Sequence, residues 1–151
     1  MAARPIARRA SPLRLTLLPR LAEQRFNFLG GPTPTTLAEH LDRMRQEFPH
    51  IRPFEEENDI YWWNTGWDAL KVNQLAQAER IFKKLTLAQP EHFDGYYGLA
   101  LVYQRRRRLA DAILFADEAI RLAEILFPQG DLDPITVEEL KTFRAQLGPA
   151  A

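Results

Sequence analysis

The sequence predicts an all-α fold: two tandem helical hairpins, preceded by an N-terminal arm and helix and followed by a capping helix. The first observation behind this prediction is an internal repeat, because the chain matches itself at a constant shift that sets Trp62 over Tyr96. The second is that apolar residues recur three and four residues apart in each proposed helix. The third is a pair of helix-starting signals, one before and one after the repeat, which mark the flanking helices.

Residues 1–34 are predicted to form a basic arm with little regular structure. This segment contains five prolines and the pair Gly30-Gly31, which interrupt regular structure. Residues 1–25 carry six Arg and one Glu, a net charge of +5. The same composition is typical of an organellar transit peptide. A targeting segment and an arm ordered by a partner therefore both remain open.

Residues 35–58 are predicted to form a helix followed by an acidic linker. Thr36 and Glu39 have the spacing of a capping box, and Pro49 and Pro53 stop the helix that they start. The helix is predicted from Leu37 to Glu47, and its apolar face consists of Leu37, Leu41, Met44 and Phe48. The acidic run from residue 55 to 59 complements the dipole of the next helix without requiring a metal ion.

Residues 59–126 are predicted to hold the two repeats. Each unit reads as an amphipathic helix, a short turn and a second amphipathic helix, and one such unit cannot bury its apolar face alone. Small residues recur where two helices must approach closely. The positions paired by the shift are Trp62 with Tyr96, Gly66 with Ala100, Ala69 with Tyr103, Ala78 with Ala112, Phe82 with Ala116 and Leu85 with Ala119.

The period and residue types of the two units resemble those of the tetratricopeptide repeat family. The first unit has Trp62, Gly66, Ala78, Phe82 and Pro90 at the signature positions, and the second has Tyr96, Leu99, Ala100, Tyr103, Ala112 and Ala119. The second unit departs from the signature at Ala116, which replaces an aromatic residue, and at Glu124, which replaces proline. The loss of proline predicts that the last helix of the array is long.

Residues 127–151 are predicted to form a capping helix and tail. Asp133 is a suitable N-cap, Pro134 suits the first helical position, and the apolar face consists of Ile135, Val137, Leu140, Phe143 and Leu147. This segment resembles the solvating helix that closes such arrays. Two repeats are fewer than the three usually needed for stability, so the flanking helices are expected to act as caps.

The family resemblance implies a concave groove that is lined by the first helix of each repeat and binds a protein partner. Helical spacing places eight residues on this face: Trp63, Trp67, Leu70, Lys71, Tyr97, Leu101, Gln104 and Arg105. An aromatic groove suits a peptide or an amphipathic helix from a partner. It lacks the Lys and Asn residues with which some family members bind a carboxyl terminus. The alternative occupant is the chain's own N-terminal arm.

Arginine-rich segments provide a second candidate contact, with anions or with an acidic partner. Four consecutive arginines, 105–108, fall at the turn between the helices of the second unit, where a solvated turn is the simpler interpretation. The net charge is zero and no aromatic residues interleave with the run, which argues against nucleic acid. The residues of this second candidate contact are Arg4, Arg8, Arg9, Arg106, Arg107 and Arg108.

Catalytic, metal and cofactor sites are not expected. The chain has no cysteine, no phosphate-binding loop and no serine nucleophile motif. His40, His50 and His92 lack metal-ligand spacing and are expected to be solvated surface residues. The absence of cysteine fits a reducing compartment, so we expect a cytoplasmic location. No apolar run approaches the roughly 20 residues that span a bilayer.

The sequence therefore predicts a non-catalytic scaffold for protein–protein interaction, acting as an adaptor, an assembly factor or a small subunit of a larger complex. Two alternatives remain open. One is a nucleic-acid-associated protein that uses its arginines, and the other is a structural subunit whose groove is filled by its own arm.

Overall fold

The computed structural model describes residues 33–54, 59–126 and 134–149 of the chain. Within these ranges it contains helices and no strand, which confirms the predicted all-α class. The helices are α1 (Leu37–Glu47), α2 (Asp59–Lys71), α3 (Leu75–Ala88), α4 (Phe93–Arg105), α5 (Leu109–Leu126) and α6 (Pro134–Gln146). The expectations for Arg4, Arg8, Arg9, the acidic run at 55–58 and the Asp133 cap lie outside the described residues.

The start of α1 is fixed by the predicted capping box. The Glu39 backbone N–H donates to the Thr36 hydroxyl oxygen at 3.2 Å, and the Thr36 backbone N–H donates to Glu39 Oε1 at 3.1 Å. Two backbone donors that the helix leaves unpaired are thereby satisfied. The helix spans Leu37–Glu47, as predicted.

The two repeats, α2–α3 and α4–α5, have the same turn geometry at equivalent positions. In the first turn, the Gln74 N–H donates to the Ala69 carbonyl at 2.8 Å; in the second, the Arg108 N–H donates to the Tyr103 carbonyl at 2.9 Å. The residue before each donor, Asn73 or Arg107, has a φ near +60°. This is the Schellman arrangement that ends many helices. The internal repeat seen in the sequence is therefore also a repeat of backbone geometry.

Small residues let the first helices approach α3 closely. A Cβ atom at Gly66 would lie 2.8 Å from the ring of Phe82, and one at Gly98 would overlap the same ring. Ala78, Ala100 and Ala112 are fully buried, as expected for small residues at helix contacts. Phe82 itself is fully buried and lies between the first helices of both repeats.

Helix α1 packs along the second helices of the repeats. Its C-terminal end meets α3, where Glu47 pairs with Lys83 at 3.1 Å and Phe48 is buried beneath Arg80 and Lys84. Its N-terminal half reaches α5, with a hydrogen bond that joins His40 Nε2 and Asp111 Oδ1 at 2.9 Å. The expectation that His40 is a solvated surface residue is wrong, because this side chain is only 5% exposed.

The C-terminal part of the array also follows the sequence pattern. Helix α5 has 18 residues whereas α3 has 14, which confirms the expectation of a long last helix. Helix α6 packs on α5, and the side chains of Val137, Leu140, Phe143 and Leu147 are buried. Its opposite side is exposed and polar. No helix among the described residues is long and apolar enough to cross a membrane.

Candidate partner-binding face

Two parallel stripes of side chains follow the first helices of the repeats. On α2 the stripe is Trp63, Trp67 and Lys71, and on α4 it is Tyr97, Leu101 and Arg105. Members of a stripe are four residues apart, which places them on one side of a helix. The two stripes are related by the internal repeat, so each carries two large apolar groups followed by one basic group.

The rings on these stripes touch one another in a continuous aromatic row. The ring centroids of Trp63 and Trp67 are 5.2 Å apart, and those of Trp67 and Tyr97 are 6.0 Å apart. The Tyr97 ring in turn meets Phe143 of α6 at 5.6 Å. All three contacts are edge-on, a favourable aromatic geometry that contributes about 0.5–1.5 kcal/mol per pair. The row is therefore fixed before any partner arrives.

We call Trp63, Trp67, Tyr97 and Leu101 together the aromatic face. All four side chains are partly buried, pack against the core and keep some surface exposed. Trp67 is anchored from below by an edge-on contact with Phe82 at 6.1 Å. Half-buried rings on rigid helices lose little side-chain freedom on binding, which is typical of anchor residues at protein interfaces.

The indole N–H of Trp67 is buried and meets no hydrogen-bond acceptor among the described residues. A buried donor without an acceptor costs about 1–3 kcal/mol. Rings surround this indole edge-on, and a weak contact between an N–H and a ring face offsets only part of that cost.

Phe143 is the residue that the sequence analysis did not connect to the aromatic face. It was recognised as part of the apolar side of α6, but helical spacing within α6 cannot show which helix that side meets. In the structure Phe143 is buried and extends the aromatic row onto a third helix. Burial raises the pKa of Tyr97, and the nearby carboxylate of Glu139, which lies on α6 with Phe143, raises it further.

Lys71 and Arg105 end the two stripes at the C-terminal ends of α2 and α4. Both side chains are exposed. Arg105 Nη1 donates to the Leu70 carbonyl at 2.6 Å and so ties the end of α2 to α4. The expectation that Leu70 lines an open groove is wrong, because Leu70 is only 1% exposed and belongs to the core. Gln104, the remaining predicted residue, is half-buried on α4.

The arginine run at residues 105–108 is largely engaged within the chain. Arg106 Nε lies 3.4 Å from Glu79 Oε1, and Arg108 binds Asp111 Oδ2 at 2.6 Å while its guanidinium covers the Tyr103 ring at 4.5 Å. Only Arg107 of the three predicted anion contacts in this run has no such pairing in the described part of the chain. The expectation of a shared anion-binding group at 106–108 is therefore weakened.

No group of three His, Asp or Glu side chains among the described residues could hold a metal ion. His40, which pairs with Asp111, packs against the rings of Tyr103 and Phe115. His92 accepts a hydrogen bond from the Asp94 backbone N–H and so caps α4. The contacts of His40 and His92 thus join or cap helices.

Comparison with known proteins agrees with the helical-repeat fold. The model of the tetratricopeptide repeat family matches residues 64–132, a range that includes most of α2 and all of α3, α4 and α5. No curated protein and no solved structure matches the chain. Repeats of this family generally mediate protein–protein interactions and are generally non-catalytic. This chain therefore carries a tetratricopeptide-repeat region between residues 64 and 132.

Proposed function

We propose that the chain is a non-catalytic scaffold that binds an apolar segment of a partner protein across the aromatic face. The observation that carries this proposal is the edge-on row from Trp63 to Phe143, which spans three helices and in which Trp63, Trp67 and Tyr97 are only partly buried. Large rings of this kind supply contact area at a low cost in side-chain entropy. A scaffold of this kind acts as an adaptor, an assembly factor or a subunit of a larger complex.

The expected partner segment is a short peptide or one face of an amphipathic helix. Apolar side chains of the segment would pack on the exposed parts of Trp67, Tyr97 and Leu101. The family's pattern of Lys and Asn residues for a carboxyl terminus is missing, since Trp63, Trp67 and Leu101 occupy those places. Apolar contacts are therefore proposed to dominate the affinity.

The nucleic-acid alternative is less well supported. It requires several arginines that are free to contact phosphate groups, whereas Arg106 and Arg108 are paired with carboxylates within the chain. Binding through phosphate contacts also weakens steeply with salt, whereas binding through apolar contacts does not. Salt dependence therefore distinguishes the two functions.

A pull-down from native lysate with the tagged full chain tests the proposal. The test variant is Trp63→Ala with Tyr97→Ala, which removes two rings of the row. The control variant is Tyr61→Ala, which removes an exposed ring of α2 that is 65% exposed and lies off the stripe. Circular dichroism and thermal melting establish that all three proteins are folded. We expect a defined protein that survives a high-salt wash with wild type and Tyr61→Ala and is lost with the double variant.

Other outcomes of this experiment are equally informative. Nucleic acid, or protein that salt releases from every variant alike, would favour the arginine-based alternative. A partner retained equally by all variants would show that the aromatic face is structural. If truncation of residues 1–34 is needed before any partner binds, the chain's own arm fills the groove, as the structural-subunit alternative holds.

A further inference from the structure

The basic end of the aromatic face has donors that the fold does not use. No hydrogen bond or ion pair joins the Lys71 ammonium group to another described residue, and the side chain is exposed. Arg105 uses Nη1 on the Leu70 carbonyl, but a guanidinium group has five N–H donors. Both groups lie one helical turn beyond apolar members of the aromatic face, at Trp67 and Leu101.

A structural role explains these two residues only in part. Basic residues at the C-terminal end of a helix complement its dipole, and Arg105 in addition holds the end of α2. The dipole effect requires no particular side of the helix. The repeat nevertheless places Lys71 and Arg105 on the same stripes as the large apolar residues, at equivalent positions of the two units.

A charge of the other sign lies near Tyr97. Glu139 of α6 is exposed and acts electrostatically on Tyr97, the ring that joins α4 to α6. The aromatic face is therefore bordered by two cations at the ends of α2 and α4 and by a carboxylate beside Tyr97. A bound segment of one orientation would match this polarity, and the reversed segment would oppose it.

We propose that the partner segment carries one or two acidic side chains, Asp or Glu, next to its apolar anchors, and that these contact Lys71 and Arg105. This inference rests on the proposed function and specifies the partner's chemistry and direction. The acid comes from side chains within the segment, because the family's residues for a terminal carboxylate are replaced here by Trp63, Trp67 and Leu101. The apolar anchors set the affinity, and the acidic residues set the orientation.

Selection of peptides from a random phage-displayed library, with both peptide ends fused or blocked, tests this inference. The library is selected in parallel on the full wild-type chain, on Lys71→Glu and on Arg52→Glu. Arg52 is an exposed arginine in the loop after α1, outside the face, and so gives the same change of charge elsewhere. We expect peptides that combine Asp or Glu with large apolar residues on wild type and Arg52→Glu, and loss of the acidic preference on Lys71→Glu.

The affinity of a selected peptide gives the quantitative test. By fluorescence anisotropy we expect binding to Lys71→Glu to be about two- to fivefold weaker than binding to wild type, the range of an exposed charge pair, and we expect this difference to shrink in high salt, which screens the charges. The same peptide should bind Arg52→Glu as it binds wild type. Replacement of the peptide's Asp or Glu residues by Asn or Gln should reproduce this loss of affinity.

Three results would overturn the inference, and they separate it from the proposed function. Selected peptides that show no acidic preference but still require Trp63 and Tyr97 would contradict the acidic contact and leave the proposed scaffold function supported. Peptides that are enriched only from a matched library with free C-termini would show that the acid is a terminal carboxylate and not a side chain. A selection with no enriched peptide, or peptides indifferent to Trp63→Ala with Tyr97→Ala, would contradict both proposals.

Discussion

Gly98 and Gly66 face the same ring, that of Phe82, from the first helices of the two repeats. Gly66 stands at a signature position of the repeat and could be recognised from the sequence. Gly98 stands at no such position, and nothing in the spacing indicates that α4 lies closer than α2 to this ring. The need for glycine at 98 is a tertiary effect, because the neighbouring ring belongs to another helix.

Gly98→Ala should lower the free energy of unfolding by up to about 2 kcal/mol, because overpacking a core costs about 1–3 kcal/mol and alanine gains about 1 kcal/mol over glycine in a helix. Chemical denaturation measures the change. In a Phe82→Leu background, which removes the ring, the cost should fall or change sign. An equal cost in both backgrounds would contradict the proposed clash.

Arg107 has a φ of 61° in the turn after α4, a left-handed conformation that glycine and asparagine adopt most readily. The equivalent residue of the first repeat is Asn73, with a φ of 62°. Arg107→Gly should therefore raise the free energy of unfolding by about 0.5–1 kcal/mol. Arg106→Gly is the matched control, since its φ of −83° gives glycine no advantage. An equal decrease in the free energy of unfolding in both variants would show that strain at Arg107 is negligible.

At the scale of elements, α1 is attached to α5 through the carboxylate of Asp111. This group binds His40 of α1 and Arg108 of the preceding turn, and Tyr103 of α4 and Glu79 of α3 lie next to the same cluster. Burial opposes ionisation, but the hydrogen bonds and charges of His40 and Arg108 outweigh it, so the pKa of Asp111 is lowered. The stabilising contribution of such a carboxylate is complete above its unfolded pKa and is lost as the pH falls through the lower folded value.

Asp111→Asn should therefore lower the free energy of unfolding near neutral pH by about 1–3 kcal/mol. The difference from wild type should shrink as the pH falls below the ordinary Asp value of 3.8. Urea titrations at a series of pH values measure this difference. Asp117→Asn, at an exposed ion pair with Arg144, serves as the control and should change little. A difference for Asp111→Asn that stays constant down to about pH 3 would contradict the lowered pKa.

The bounds of α1 could be predicted from the sequence, whereas its place in the fold could not. The bounds depend on local signals, namely the capping box at Thr36 and the proline after Phe48. The packing of α1 on α5 depends on the pairing of His40 with Asp111, which is distant in the sequence. An isolated histidine on an amphipathic helix carries no sign of such a partner, and so His40 was expected at the surface.

At the scale of the whole molecule, the repeat made the two stripes of the candidate face predictable. The constant shift between the units relates Trp63 to Tyr97 and Trp67 to Leu101, and the spacing within each stripe follows from the helix alone. The burial of Leu70 and the contribution of Phe143 could not be predicted in this way. Each depends on how a neighbouring helix passes over the stripe, which is set by packing between α2, α4 and α6.

The most direct test of the central claim is site-specific photocrosslinking of the partner in cells that express the full chain. A benzophenone amino acid replaces Gln104, which lies on α4 beside the aromatic face, or Arg80, which is exposed on α3 near α1. We predict a covalent adduct with the partner from position 104 but not from position 80, and its loss when Trp63→Ala and Tyr97→Ala are introduced. Adducts from position 80 alone, or equally from both positions, would contradict binding at the aromatic face.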